Sequence, residues 1–167
     1  DRYPDVGKAS DILRTAKGAG QRTAVHLCGR IAHTFMSYFD GLVALGPLLQ
    51  LADRVQVNVR ETSWPAGPDK YRRAYELART LCRPVIVQVR GDAFPDAEDM
   101  ALGAGRMVPF LFDRSGGRGE DPKLWPEPPG SDQFVGYAGG LGPDNAAGLA
   151  SKIAVTRPHA RFWIDME

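Results

Sequence analysis

Cysteine is scarce in this chain: Cys28 and Cys82 are the only two among 167 residues, and neither sits in a CxxC pair. That excludes a disulfide-stapled fold and a structural zinc site, and it fits a reducing, cytoplasmic setting. A surplus of one charge is also missing. The 21 Lys and Arg balance 20 Asp and Glu to a formal net charge of +1, so the sequence has neither the basic footprint of a nucleic-acid binder nor an acidic tail. Any basic site must therefore be local. No apolar run approaches the roughly 18 residues of a membrane span, and no charged-then-apolar leader opens the chain, so no membrane partner is expected. His33 and His159 lack the partner spacing of a metal site. His26 and Cys28 share a strand face and are candidates for a ligand pair or a nucleophile pair, but no third or fourth ligand is evident. No metal and no other cofactor is expected.

What is present is an ordinary globular composition, 43% hydrophobic and 25% charged, enough for one sizeable core and one domain over 1–167. The chain opens on Asp1 rather than Met and stops at Glu167 directly after an apolar run, which suggests truncation at both ends. Six short apolar runs, at 23–27, 55–59, 85–89, 107–112, 134–138 and 161–164, alternate with helical patterns at 6–17, 30–39, 69–81, 95–102 and 143–153. That alternation is the signature of βα units around a parallel sheet.

Side-chain alternation separates the two faces of these strands. Val55, Val57 and Val59 share one face and Gln56, Asn58 and Arg60 the other; Val85, Val87 and Val89 oppose Ile86, Gln88 and Arg90. The valines suit a helix layer. The polar set is then expected to point inward, with Gln56, Asn58, Gln88 and Asp113 facing a common interior that becomes charged toward the carboxyl ends.

Two motifs carry chemistry. The run Phe110-Leu-Phe-Asp-Arg-Ser-Gly-Gly-Arg-Gly119 sets Asp113 at a strand end before a loop containing Gly116, Gly117 and Gly119. Such a loop can bring backbone N–H groups close to an anion, although an Asp before glycines is also a common turn former. The second, Tyr137-Ala-Gly-Gly-Leu-Gly-Pro-Asp-Asn145, sets Gly139 and Gly140 between a strand and a helix start. That combination offers N–H groups and the positive end of a helix dipole to phosphate; a tight strand-to-helix turn started by Asp144 is the plainer alternative. Trp64 and Trp125 lie near prolines, where packing or capping of the interior would both use them.

In this order the motifs resemble phosphoribosylanthranilate isomerase, a family of tryptophan biosynthesis. Asp113, the glycine loop and Trp125 match a family strand end followed by a Gly-Gly-Thr-Gly-like loop and an aromatic, and Gly139 to Asn145 matches a family Gly-Gly-Leu-x-Pro-Glu-Asn. Trp163-Ile-Asp-Met-Glu167 is similar to the opening of its last strand, and Arg2-Tyr-Pro4 to an Arg-Tyr segment after its second. The resemblance spans nearly the whole chain, and its specific part runs from Phe110 to Asn145. It implies a (β/α)8 TIM barrel of which about six units, strands three to eight, are present. It also implies an Amadori rearrangement of a phosphorylated aminoaldose to an aminoketose. In that scheme Asp113 is the catalytic acid and Arg2, Asn58 and Asp165 contact substrate, while Gly116, Gly117, Gly119, Gly139 and Gly140 hold phosphate.

The sequence departs from the family in three places. Arg118 stands in the glycine loop where a small hydroxyl residue is expected, Asn58 stands where a His would end its strand, and nothing here matches the family's first-strand cysteine base. Alternatives are therefore another sugar-phosphate isomerase, epimerase or lyase barrel, or a barrel that binds a phosphorylated ligand without turnover. A small phosphorylated molecule is the expected partner in each. Open sheet edges would also need covering, and a homo-oligomer is one arrangement that does so.

Overall fold

A computed structural model describes residues 4–37, 39–58, 68–89, 108–113, 125–126, 134–156, 158–159 and 161–166. In chain order the elements are α1 (Val6–Gly18), β1 (Ala24–Cys28), α2 (Gly29–Ser37), α3 (Phe39–Leu49), β2 (Arg54–Asn58), α4 (Pro68–Leu81), β3 (Val85–Val89), β4 (Phe110–Asp113), β5 (Val135–Ala138), α5 (Ala146–Thr156) and β6 (Phe162–Ile164). All six expected strands form, each within three residues of its expected start. The expected helix at 95–102 and the residues Val59, Arg60 and Arg90 lie outside the described residues.

The strands form one sheet in the order β1-β2-β3-β4-β5-β6, and every neighbouring pair is parallel. Sequential parallel strands require a crossover between each pair, and helices supply them where the chain is described. The face that meets those helices is the apolar one. Val55, Val57, Val85, Val87, Phe110, Phe112, Val135 and Tyr137 are essentially inaccessible and join Ala32, Phe35, Met36, Leu49, Ala74 and Leu77 in the main core. Each large apolar side chain so buried contributes about 1.5–3 kcal/mol. Aromatic edges knit the layer: Tyr71 meets Phe110 at a centroid distance of 5.2 Å, and Trp125 meets Phe112 at 6.1 Å and Tyr137 at 5.8 Å. Trp125 is thus a packing residue on the helix side, where the Tyr137 hydroxyl also donates to the carbonyl of Pro126 at 2.9 Å.

The sheet is curled enough for side chains of β2 and β6 to meet across its inner face: the Arg54 guanidinium lies 5.9 Å from the centre of the Trp163 ring. Trp163 fills the concave side with Ile86, Leu111 and Ala138. Gly136 makes room for it: a Cβ there would lie 2.2 Å from the indole.

Two of the helices carry local end signals, and two others depart from expectation. The Asp5 carboxylate accepts from Lys8 N–H at 2.8 Å and caps α1, and beyond its cap residue Ala19 the chain turns away through Gly20 with φ +72°, the left-handed conformation that glycine best supplies. At the end of α4 the same role falls to Cys82, with φ 51°, closed by Arg83 N–H donating to Ala78 C=O and Cys82 N–H to Arg79 C=O. One departure is α3, which contains Pro47. Gly41, Gly46 and Pro47 all argue locally against a helix, but Leu45, Leu48 and Leu49 are buried, and that burial outweighs the propensity. The last helix starts at Ala146, three residues after the expected Pro143, because Pro143, Asp144 and Asn145 form a turn instead.

Candidate functional site at the carboxyl ends of the strands

The concave face carries the polar residues. Gln56, Gln88 and Asp113 are among the four buried polar side chains of the described residues, and all three lie on the face opposite the valines, as the alternation requires. Gln88 donates its side-chain N–H to Asp113 Oδ2 at 2.5 Å. The register pairs Gln88 with Leu111, so the amide reaches one inward position further along β4 to meet the carboxylate. Asn58 ends β2, half-buried, and pairs in register with Cys28 on β1.

Asp113 is paired in register with Ala138, and the ladder continues one residue past β6, where Asp165 N–H donates to Tyr137 C=O at 2.9 Å. That bond fixes Asp165 on the same inward face. The two carboxylates thus flank the buried Ala138, on strands about 9–10 Å apart. His26 faces them from β1. Burial pushes its imidazole below the ordinary histidine range, opposed by the charge of Asp165 and then of Asp113. By accessible surface the residue is exposed, at the β1 edge of the sheet.

The turn after β5 begins one residue beyond the register partner of Asp113. Gly139 has φ +99° and Gly140 φ +62°, conformations that a Cβ disfavours. Asn145 fixes the rest of the turn. Its side-chain carbonyl accepts from Gly142 N–H at 2.8 Å and its amide donates to Gly140 C=O at 2.8 Å, while its own backbone carbonyl takes the first helical bond from Leu149 N–H. Leu141, buried in the main core, anchors the middle of the turn. The glycine pair and the start of α5 are therefore held beside the carboxylates by side-chain bonds and by packing.

Of the residues singled out from sequence, Asp113, Asp165, Gly139 and Gly140 lie together at this end of the sheet, with Asn58 two strands from Asp113. Arg2, Gly116, Gly117 and Gly119 lie outside the described residues. Among those described, no group of three His, Cys, Asp or Glu side chains could hold a metal ion. No helix among them is long and apolar enough to cross a membrane. The alternation of His26 with Cys28 marked it as inward-facing, but did not show that the charges of Asp165 and Asp113 would act on it. Comparisons with protein-family models, with curated proteins and with solved structures gave no match to this chain.

Proposed function

We propose that the chain is an aldose–ketose isomerase of the phosphoribosylanthranilate isomerase kind, built as a (β/α)8 TIM barrel. The barrel is supported by the stagger of the strands. The hydrogen-bonded row from Val57 passes through Val87, Phe110 and Val135 to Phe162, which sets Trp163 level with Asn58, yet Trp163 reaches Arg54, four residues back, across the interior. Four residues of offset over four strand steps is one per strand, the stagger of an eight-stranded barrel with shear of about 8.

The observation that carries the function is the position of Asp113: buried, held by Gln88, and one residue pair from the Gly139–Gly140 turn. In this reading Asp113 donates a proton to the ring oxygen of the aminoaldose, and the amides of that turn, with the start of α5, hold the phosphate. Gly116, Gly117 and Gly119 complete the phosphate loop, Arg2 takes the substrate carboxylate, and Asn58 and Asp165 contact the sugar, all as the resemblance implies. The activity belongs to tryptophan biosynthesis in the cytoplasm and needs no cofactor.

The test is turnover of phosphoribosylanthranilate by the wild type and by Asp113→Asn, which keeps size and polarity while removing the transferable proton. We expect a loss of about 10²- to 10⁴-fold in kcat, with phosphate affinity retained. Equal turnover by the variant removes Asp113 from the mechanism. Phosphate binding by a wild type that never turns over favours the binding-only alternative.

A further inference from the structure

A carboxylic acid that gives up a proton must carry it on the oxygen that meets the acceptor. Left to itself an Asp side chain does not choose between its two oxygens, because its χ2 torsion is broad and roughly two-fold. We infer that Gln88 makes that choice for Asp113 as a positioning residue: its amide N–H, donated to Oδ2, sets that oxygen as the carbonyl and keeps the transferable proton on Oδ1. The role rests on the isomerase reading, in which Asp113 is the acid, and falls to a residue that the resemblance does not assign.

Register and burial carry the assignment. Strands β3 and β4 are parallel neighbours with Gln88 opposite Leu111, so Asp113 stands one inward position beyond the amide, which spans the step with a bond of 2.5 Å. Each of the two residues exposes only 3% of its surface. Their surroundings on this face are apolar: Ile86 lies one inward position before Gln88, Leu111 one before Asp113, and Ala138 is the register partner of Asp113. In such low-dielectric surroundings the bond is electrostatically stronger than it would be in water.

An uncharged donor is what an acid requires. A Lys or Arg at position 88 would favour the carboxylate and strip Asp113 of its proton, whereas the amide orients the group and leaves the proton on it. The carbonyl oxygen of an acid is a better acceptor than its hydroxyl oxygen, so an N–H at Oδ2 leaves Oδ1 as the O–H. During transfer the Oδ1–H bond breaks and the proton joins the ring oxygen. The C1–O electron pair moves onto that oxygen, and the nitrogen lone pair forms C1=N. Asp113 is left as a carboxylate, and the bond from Gln88 becomes charge-assisted, roughly twice as strong as one between neutral groups. Gln88 itself gains and loses no proton. It thus stabilises the transition state more than the ground state, which is the condition for raising kcat.

The experiment measures kcat and KM for phosphoribosylanthranilate with the full-length wild type, Gln88→Met, Gln88→Asn, Asp113→Asn and the double variant Gln88→Met with Asp113→Asn. Met keeps the length of the side chain without a donor, and Asn keeps the amide but withdraws it by one bond. Each single change at 88 should lower kcat about 10- to 10²-fold, with KM and cooperative urea unfolding retained. In the Asp113→Asn background the change to Met should cost almost nothing, because no proton is left to orient. The infrared C=O band of protonated Asp113, identified as wild type minus Asp113→Asn, should move to higher frequency in Gln88→Met as the carbonyl oxygen loses its donor. Equal losses in the two backgrounds, or a raised KM with kcat unchanged, overturn the role and leave the isomerase reading standing. A band that does not move overturns the orientation of Asp113 by Gln88. No turnover by the wild type removes the isomerase reading and this role together.

Discussion

The two faces of the same six strands have opposite chemistry. Toward the helices, Val55, Val57, Val85, Val87, Phe110, Phe112 and Tyr137 bury completely against a dense apolar layer. Toward the concave side, His26, Gln56, Gln88, Asp113 and Asp165 share the surface with Gly136 and a small apolar cluster of Ile86, Leu111, Ala138 and Trp163. The first face is where stability resides, because each apolar side chain there is removed from water against complementary neighbours. The second gives up part of that gain. It keeps amides and carboxylates inside the curl, where they must find partners. A face kept polar at its carboxyl end is suited to a ligand, and a face without polar atoms is suited to holding the strands in register.

The largest expected effect breaks this contrast by exchanging residues on one strand. Val57→Gln forces an amide into the helix-side core and should cost about 3 kcal/mol in urea denaturation. Its mirror, Gln56→Val on the concave side, should change stability by less than about 1 kcal/mol. Similar costs for the two would show that the faces are not energetically distinct.

A smaller effect is expected at the one place where the concave face is tightly filled. Gly136→Ala drives a methyl into the Trp163 indole and should cost about 1–3 kcal/mol. Most of that cost should disappear in a Trp163→Val background, so a double-mutant cycle should show coupling between the two positions. Additive effects would mean that the glycine serves its own strand and makes no room for the ring.

The smallest effect sharpens the comparison at the opposite, amino-terminal end of the sheet, where β1 and β2 enter. There the Asp53 carboxylate accepts from Thr23 N–H at 2.7 Å and also from the Thr23 hydroxyl, and the backbone bond, more than any other cause, holds its pKa below the ordinary carboxylate range. The folded state then binds fewer protons than the unfolded one, so the contribution is present above the unfolded value of about 3.9 and fades as pH falls through the lower folded value. Asp53→Asn should therefore lower the melting temperature slightly at pH 7, and the gap to wild type should close in acid. A gap that persists unchanged to pH 2 would assign the effect to lost packing instead of charge.

The strands and the division of their faces were determined by the sequence alone, because a period of two in Val, Gln and Phe leaves a single arrangement that buries the apolar set. The glycine turn after β5 was equally legible, since Gly139 and Gly140 adopt the positive φ that their type and position suggest. Other features were decided by contacts distant in sequence. Helix α3 forms through Pro47 because Leu48 and Leu49 bury, a gain that no local propensity contains. The start of α5 moved to Ala146 because the Asn145 side chain closes the preceding turn on Gly140 and Gly142. The meeting of Trp163 with Arg54 across the inner face comes from the curl of the sheet. Curl depends on how the twist of each strand adds to that of its neighbours, and a linear pattern of residues does not record that sum.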